Sequence, residues 1–216
     1  MATDSVEQYL QTVCRLSSEQ DPVTLSALAE QLGISSVSAN EMIKKLVARN
    51  LVTYEPYRGV RLTAEGQAQA LRVIRRHRLW ERFLADVLGL PWERVHEEAC
   101  QLEHATSPLV EEKLAQFLGE PETCPHGYPV TGADCGCSEE GLLLSELEPG
   151  QRAVVLRVAE HDADLLRYLA ELELRPQAIL EVEEVAPFDG PLTVKVGESR
   201  RVIGRRVASQ ITVRMT

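Results

Sequence analysis

TLSALAEQLGISSVSANEMIKKLVARNLVTYEPYRGVRLTAEG, residues 24–66, decides the fold of the N-terminal third. Thr24 stands where a hydroxyl caps a helix, Gly33 supplies the stop after LSALAEQL, and Ser35 or Ser36 caps VSANEMIKKLVARN. Leu25, Leu28, Ala29, Leu32, Ile34, Val37, Ile43, Leu46 and Val47 are the expected small core. Then LVTYEP-YRG-VRLTAEG alternates like a hairpin, with Arg58 and Gly59 at its tip and Thr63 capping the next helix. Upstream, an amphipathic helix near residues 4–18 puts Val6, Leu10, Val13 and Leu16 on one side. Helix, glycine turn, helix and hairpin together predict a winged helix-turn-helix over residues 1–66.

That motif lays its second helix in the major groove with the N-terminal side chains nearest the bases. Ser36, Ser38 and Asn40 are therefore the expected base readers, and Lys44, Lys45, Arg58 and Arg61 the phosphate contacts. Charge agrees with this assignment. The chain of 216 residues carries a net charge of −10, yet residues 41–82 hold ten Lys or Arg against four acids. A basic segment in an acidic protein is what a local contact with a phosphate backbone requires. Residues 93–148 hold two bases against thirteen acids, a potential that attracts dications.

Within that acidic stretch, WERVHEEACQLEHA places His96, Cys100, Glu103 and His104 at spacings of four, seven and eight, one stripe of a helix. Imidazole, thiolate and carboxylate are competent ligands for a first-row transition metal. The preceding predicted helix, RRHRLWERFL, adds His77 and Glu81 four residues apart. A plain alternative has Cys100 packing as a small hydrophobe with His and Glu forming surface pairs; the convergence of two adjacent helices argues against it.

Residues 119–141, rich in Gly, Pro and Cys, read as a linker. Cys124, His126, Cys135 and Cys137 invite a zinc reading, but C-x-H and C-x-C are tighter than common zinc folds use, and a linker is expected. From residue 142 onward RAVVLRV, AILEVEEV, LTVKVG, RRVIGRRV and ITVRM alternate as short strands of a small β-barrel. The fold class expected is thus mainly α with a C-terminal β-barrel. No apolar run is long enough for a membrane span, and MATDSVEQYLQ lacks a signal-peptide pattern, so a cytoplasmic protein is expected. Five cysteines without an export signal argue for reduced thiols or metal ligation.

The order of YRGVRLTAEG, RHRLWERFL, GLPWERVHEEACQLEHATSP and CPHGYPV closely resembles the diphtheria toxin repressor family of metal-dependent regulators, which includes the manganese transport regulators. The resemblance covers essentially the whole chain. It implies a homodimer that binds a palindromic operator in double-stranded DNA, with half-sites about one turn, ~34 Å, apart, when loaded with Mn²⁺ or Fe²⁺. It implies a helical dimerisation and metal-binding domain over 67–118 and an SH3-like domain over 142–216. Two metal sites per subunit carry over: His77, Glu81 and His96 match the ancillary site, and Cys100, Glu103 and His104 match the primary site. Gln8 falls where relatives place a further primary-site ligand, Met or Asp, and Gln11 where manganese-responsive members carry a second acid. In AEHDADLLRYL, Asp162 matches the acidic ligand that the C-terminal domain lends; Leu165 replaces the usual amide, for which His161 or Asp164 can substitute. CPHG is an ordinary turn in the family. No catalytic chemistry is required. Two other classes are open to such a sequence: a helical metalloenzyme, which typically carries Glu-x-x-His on two helices, and a repressor that senses an organic ligand and keeps metal for structure.

Overall fold

In the computed structural model the described residues are 2–18, 20–131, 141–160 and 162–216, with side chains described from residue 5. Cys135, Cys137 and His161 lie outside them. The head consists of α1 (Ala2–Leu16), α2 (Leu25–Gln31), α3 (Ser36–Ala48) and the hairpin β1 (Val52–Glu55) and β2 (Gly59–Leu62). The caps fall as the sequence predicts. The Thr24 hydroxyl accepts from the Ala27 N–H at 3.2 Å, Ser35 from Ser38 at 3.1 Å, and Thr63 from Gly66 at 3.1 Å. Each satisfies an orphan donor of a first turn. β1 and β2 pair antiparallel from Val52↔Leu62 to Glu55↔Gly59. The turn between them puts Tyr57 fully exposed at the tip, with φ of 66°.

The head core joins Val6, Leu10 and Val13 of α1 to Leu28, Ile43, Leu46, Leu51, Val52 and Val60. Val37 and Val47 do not belong to it: they are 70 % and 43 % exposed. Ala39, Ile43 and Leu46 take the buried face of α3, and at 100° per residue position 37 falls on the opposite side.

The long helix α4 (Ala64–Asp86) leaves the head without a break. Its Ala70 and Ile74 complete the head core, while its later turns carry His77 and Glu81 into a second region. Gly66 permits this junction, because a Cβ there would lie 1.9 Å from the Leu51 carbonyl oxygen. α5 (Val95–Leu102) and α6 (Pro108–Phe117) pack on α4. Outward, Phe117 is 67 % exposed and meets Phe83 with ring centroids 6.0 Å apart; Leu109 is also exposed. The expected single helix from His96 to His104 is not continuous. α5 ends at Leu102, and Glu103–Ala105 wind as a 3₁₀ turn, which re-aims Glu103 and His104.

Residues 119–131 are not a plain linker. The Cys124 N–H donates to the Tyr128 carbonyl and the Val130 N–H to that of Glu122, closing a tight loop with Cys124 and His126 buried. Gly127 lies against the barrel backbone so closely that a Cβ would sit 1.9 Å from the Leu156 carbonyl oxygen. The barrel is one antiparallel sheet in the order β3-β8-β4-β5-β6-β7. These are β3 (Leu142–Leu143), β4 (Arg152–Val158), β5 (Ile179–Val185), β6 (Leu192–Val196), β7 (Ser199–Ile203) and β8 (Ile211–Met215). Val155, Val182, Val194 and Val213 alternate inward. Two expectations change here. RRVIGRRV is a strand only to Ile203 and then becomes the short helix α8 (Arg205–Ala208). AEHDADLLRYL, matched above to a ligand-lending stretch, is mostly the helix α7 (Ala163–Glu171), which buries Leu166 and Leu169 in the barrel core.

Among the described residues, no helix is long and apolar enough to cross a membrane. Cys100 and Cys124 are free thiols, whereas Cys14 is disulfide-bonded, a departure from the expectation of reduced thiols.

Candidate metal centre and nucleic-acid interface

α4, α5 and the 3₁₀ turn after it bring His77, Glu81, His96, Cys100 and Glu103 into one knot, in which His77, Glu81 and Glu103 are buried and His96 and Cys100 half-buried. His77 Nε2 lies 3.0 Å from Glu81 Oε1 and 3.0 Å from His96 Nδ1, and His77 Nδ1 lies 2.7 Å from Glu103 Oε2. The Cys100 thiol is 3.9 Å from both His77 Nδ1 and His96 Nε2. His77, His96 and Cys100 offer ligand atoms within 4.8 Å of one another; this is the Cys100 cluster. The expected division into two separate triads is blurred, because His77 bridges Glu81 of one to Glu103 of the other.

A second group adjoins it. Glu81, Cys124, His126 and Glu160 are all buried, with ligand atoms again within 4.8 Å; this is the Cys124 cluster, and Glu81 belongs to its edge and touches both. Glu81 Oε2 and Glu160 Oε2 are buried with no hydrogen-bond partner, and His126 Nδ1 lies 3.3 Å from Glu81 Oε1. Orphaned carboxylate oxygens converging from two segments are costly, and a bound cation would satisfy them. The residues therefore fit a metal. The sequence reading set Cys124 and His126 aside and did not find Glu160; the acid it named from the C-terminal domain was Asp162. Asp162 is exposed and caps α7, its Oδ1 accepting from the Asp164 and Leu165 N–H groups at 3.0 Å. Asp164 is likewise exposed, paired with Arg167.

The first helix also presents a different residue from the one expected. Glu7 Oε2 lies 2.9 Å from His104 Nδ1, and Gln11 Nε2 donates to Glu103 Oε2 at 3.4 Å. Positions 7 and 11 share a helical face. Gln8 lies 100° further round, exposed, in a cleft lined by Ser38 and Met42 of α3. The structure does not bring Gln8 to the cluster.

Charge in the knot is mutually compensated. Burial opposes a proton on His77, but Glu81 and the hydrogen bonds of Cys100, Glu103 and Glu81 outweigh it and raise its pKa well above the ordinary imidazole value. His96 follows for the same reasons, burial being overcome by Cys100 and Glu81, to about 9. Burial would raise the Cys100 thiol, yet hydrogen bonds from His77 and His96 bring it down to about 6. Glu81 is held well below the carboxylate range, burial being outweighed by His77, His126 and His96. Cys124 differs: burial first, then Glu81 and Glu160, push its thiol well up. Imidazolium protons occupy the role a dication would fill, so loading must release protons.

On the head, Ser36, Ser38, Lys44 and Lys45 are exposed as the reading-head assignment requires, and Asn40 is half-buried. With Ala39, Ile43 and Leu46 inward, the outermost stripe is Val37, Glu41 and Lys44. Sequence reasoning missed Val37 because it counted the residue as core, and did not single out Glu41; the helical period was the available signal. Arg58 pairs with Glu55 at 3.1 Å, and Arg61 with both oxygens of Asp21 at 3.1 Å. Such exposed pairs are weak and exchange readily for phosphate.

A winged reading head joined through one helix to a buried cluster of imidazole, thiolate and carboxylate defines a metal-gated DNA-binding regulator. Comparison with known proteins gives the family. Residues 1–60 match the iron dependent repressor N-terminal DNA binding domain, residues 63–132 its metal binding and dimerisation domain, and residues 142–215 the FeoA domain. The iron-dependent repressor IdeR of Mycobacterium tuberculosis H37Rv is 34 % identical over 97 % of this chain and 96 % of its own length. A solved manganese-dependent transcriptional repressor in complex with manganese superposes with a TM-score of 0.88 at 34 % identity, covering 98 % of this chain and all of that one. The manganese regulator SloR superposes at 0.78, with 30 % identity and 98 % coverage of each chain. The chain belongs to the iron-dependent repressor family, and it is a metal-dependent transcriptional repressor.

Proposed function

We propose that the chain acts as a cytoplasmic homodimer that takes Mn²⁺ or Fe²⁺ at the two adjoining clusters and, when loaded, binds a palindromic operator. The observation that carries this is the position of α1. Its Val6, Leu10 and Val13 are built into the head core, while its Glu7 and Gln11 reach His104 and Glu103. Loading the centre therefore fixes the head through the helix it already owns. The exposed apolar surface around Phe117 and Leu109 supports pairing of two copies beside that centre. His77, His96, Cys100, Glu81 and Glu103 hold one ion, with His104 and Glu7 at its rim, and Glu81, Cys124, His126 and Glu160 hold the other. A bound ion supplies positive charge there; no catalytic step is involved.

Metal choice follows from the donors. The four carboxylates of the two clusters, Glu7, Glu81, Glu103 and Glu160, suit Mn²⁺, whereas the Cys100 and Cys124 sulfurs suit Fe²⁺. Val37 is placed for a thymine methyl, Glu41 for a cytosine amino group, and Lys44 and Lys45 for phosphate. The test is an anaerobic titration of fluorescent operator DNA, taken from candidate palindromes, against Mn²⁺, Fe²⁺, Co²⁺, Zn²⁺ and chelator. Tight binding only with Mn²⁺ or Fe²⁺ present is expected; equal binding in chelator overturns the reading.

A further inference from the structure

Arg15 is a half-buried charged group beside the clusters that metal ligation does not use. It lies in the last turn of α1, and its Nη2 is 3.2 Å from Glu160 Oε1, a contact between head and barrel. Glu160 is only 4 % exposed. Its other oxygen, Oε2, is buried without a partner beside Glu81, Cys124 and His126. One carboxylate thus faces two cation positions, one filled by a guanidinium and one formed by ligand atoms. The surroundings of Arg15 point the same way. Burial disfavours its charge, but Glu160, then Glu103, Glu81 and Cys100, hold the proton on and raise its pKa. Those four anions come from both clusters, so Arg15 is a fixed positive charge set among them.

We propose that Arg15 is a positioning residue that straps α1 to the barrel through Glu160 and opposes a dication at the Cys124 cluster, so that loading this cluster and loosening the strap are one equilibrium. The proposal rests on metal binding at that cluster. Two cations sharing one carboxylate repel at short range in a poorly screened interior. Linkage is reciprocal: whatever Arg15 contributes to holding the metal-free head must reappear as weaker metal binding. A passive packing role for its guanidinium predicts no such exchange. The strap also gives Glu160 a purpose in the metal-free protein, where a buried lone carboxylate is otherwise expensive.

The test uses the full chain and Mn²⁺ as the probe. Metal affinity of each cluster is measured by competition with a chelating dye, and hydrogen exchange is followed for the α1 amides with and without metal. Arg15→Gln keeps most of the side-chain length and removes the charge. It is expected to tighten the Cys124 cluster by roughly 5–150-fold, the range of ordinary site coupling, to affect the Cys100 cluster less, and to speed α1 exchange in metal-free protein. Arg15→Lys should return both readouts towards wild type. Unchanged or weakened binding at the Cys124 cluster in Arg15→Gln overturns the proposal. Should that variant fail to fold, Glu160→Gln breaks the strap from the other side: faster α1 exchange without metal is expected, and unaltered exchange overturns it. Wild-type protein that takes no second ion overturns the metal reading itself, whereas a loaded wild type with an indifferent Arg15→Gln defeats only the strap.

Discussion

The two clusters meet at Glu81 and are built in opposite ways. The Cys100 cluster comes from two consecutive helices, and its thiol is drawn down to about 6 by two imidazoles. The Cys124 cluster gathers Glu81, a loop pair and an acid after β4, and its thiol is pushed well up by burial and two carboxylates. The thiol of one centre is already ionised at neutral pH; that of the other must give up its proton as the site loads. Neighbouring sites with similar donors therefore differ because of who stands beside the sulfur.

The largest expected effect comes from the residue they share. Glu81→Gln should weaken ion binding at both clusters by more than the roughly 10–100-fold that outer-sphere partners cost, and abolish metal-activated DNA binding. Metal stoichiometry and operator affinity check it; loss at one cluster alone would separate the two sites that the geometry joins. Next, the pH response should distinguish them. Raised imidazole values mean that protons must leave on loading, so both affinities rise with pH, by about tenfold per unit for each proton released. His96, at about 9, sets the upper end for the Cys100 cluster. The Cys124 cluster also releases the proton of its raised thiol, whereas the Cys100 thiol, at about 6, is already ionised over most of the range from pH 6 to 9. In competition titrations Cys124→Ser should flatten the slope of its cluster and Cys100→Ser should leave its own slope alone, and equal responses of the two would break the contrast.

Lys44→Ala tests whether loading and readout are separable. It should leave ion stoichiometry and both pH slopes alone while weakening all DNA sequences alike and reducing the salt slope by about 1. Glu41→Gln should instead move preference from cytosine towards adenine at one position, by about 1–3 kcal/mol, seen by selection from randomised operators; an unchanged site would remove Glu41 from the readout. The smallest effect belongs to Asp162→Ala, which loses a helix cap for about 1 kcal/mol of stability. Its ion binding should match wild type, whereas Glu160→Gln should lose the Cys124 cluster. Thermal melts and stoichiometry together decide between those two acids.

The clusters also mark where sequence stops being readable. His77 with Glu81, and His96 with Cys100, repeat at four, so a local helix places them without any knowledge of the rest. The caps at Thr24, Ser35 and Thr63 were legible for the same reason, as were β4 and β8, whose alternation ends where the strands end. Cys124 and His126 lie 43 and 45 residues after Glu81, and Glu160 a further 34 on, and only packing of the 119–131 loop between α4 and the barrel unites them. Close C-x-H spacing looked wrong for a metal because it was judged as if the loop had to supply every ligand. Helical phase explains the remaining differences: Glu7 replaces Gln8 at the centre by one 100° step, and Val37 turns outward because it lies on the side of α3 opposite Ala39 and Ile43. RRVIGRRV looks like one strand, but past Ile203 the chain leaves the sheet at Gly204 and coils into α8.

α4 works as a screw. Ile74 is set in the head core and His77 in the metal knot, three residues along one unbroken helix, about 4.5 Å of rise. Inserting a single alanine between them would rotate every downstream ligand by about 100° while moving it only about 1.5 Å. The head would still fold and the imidazole would still be present, but facing the wrong way. Inserting four residues nearly closes the turn, so such a chain would regain the angular phase and lose only the distance. The thread of that helix, more than the span it covers, is what ties the chemistry of the centre to the orientation of the reading head.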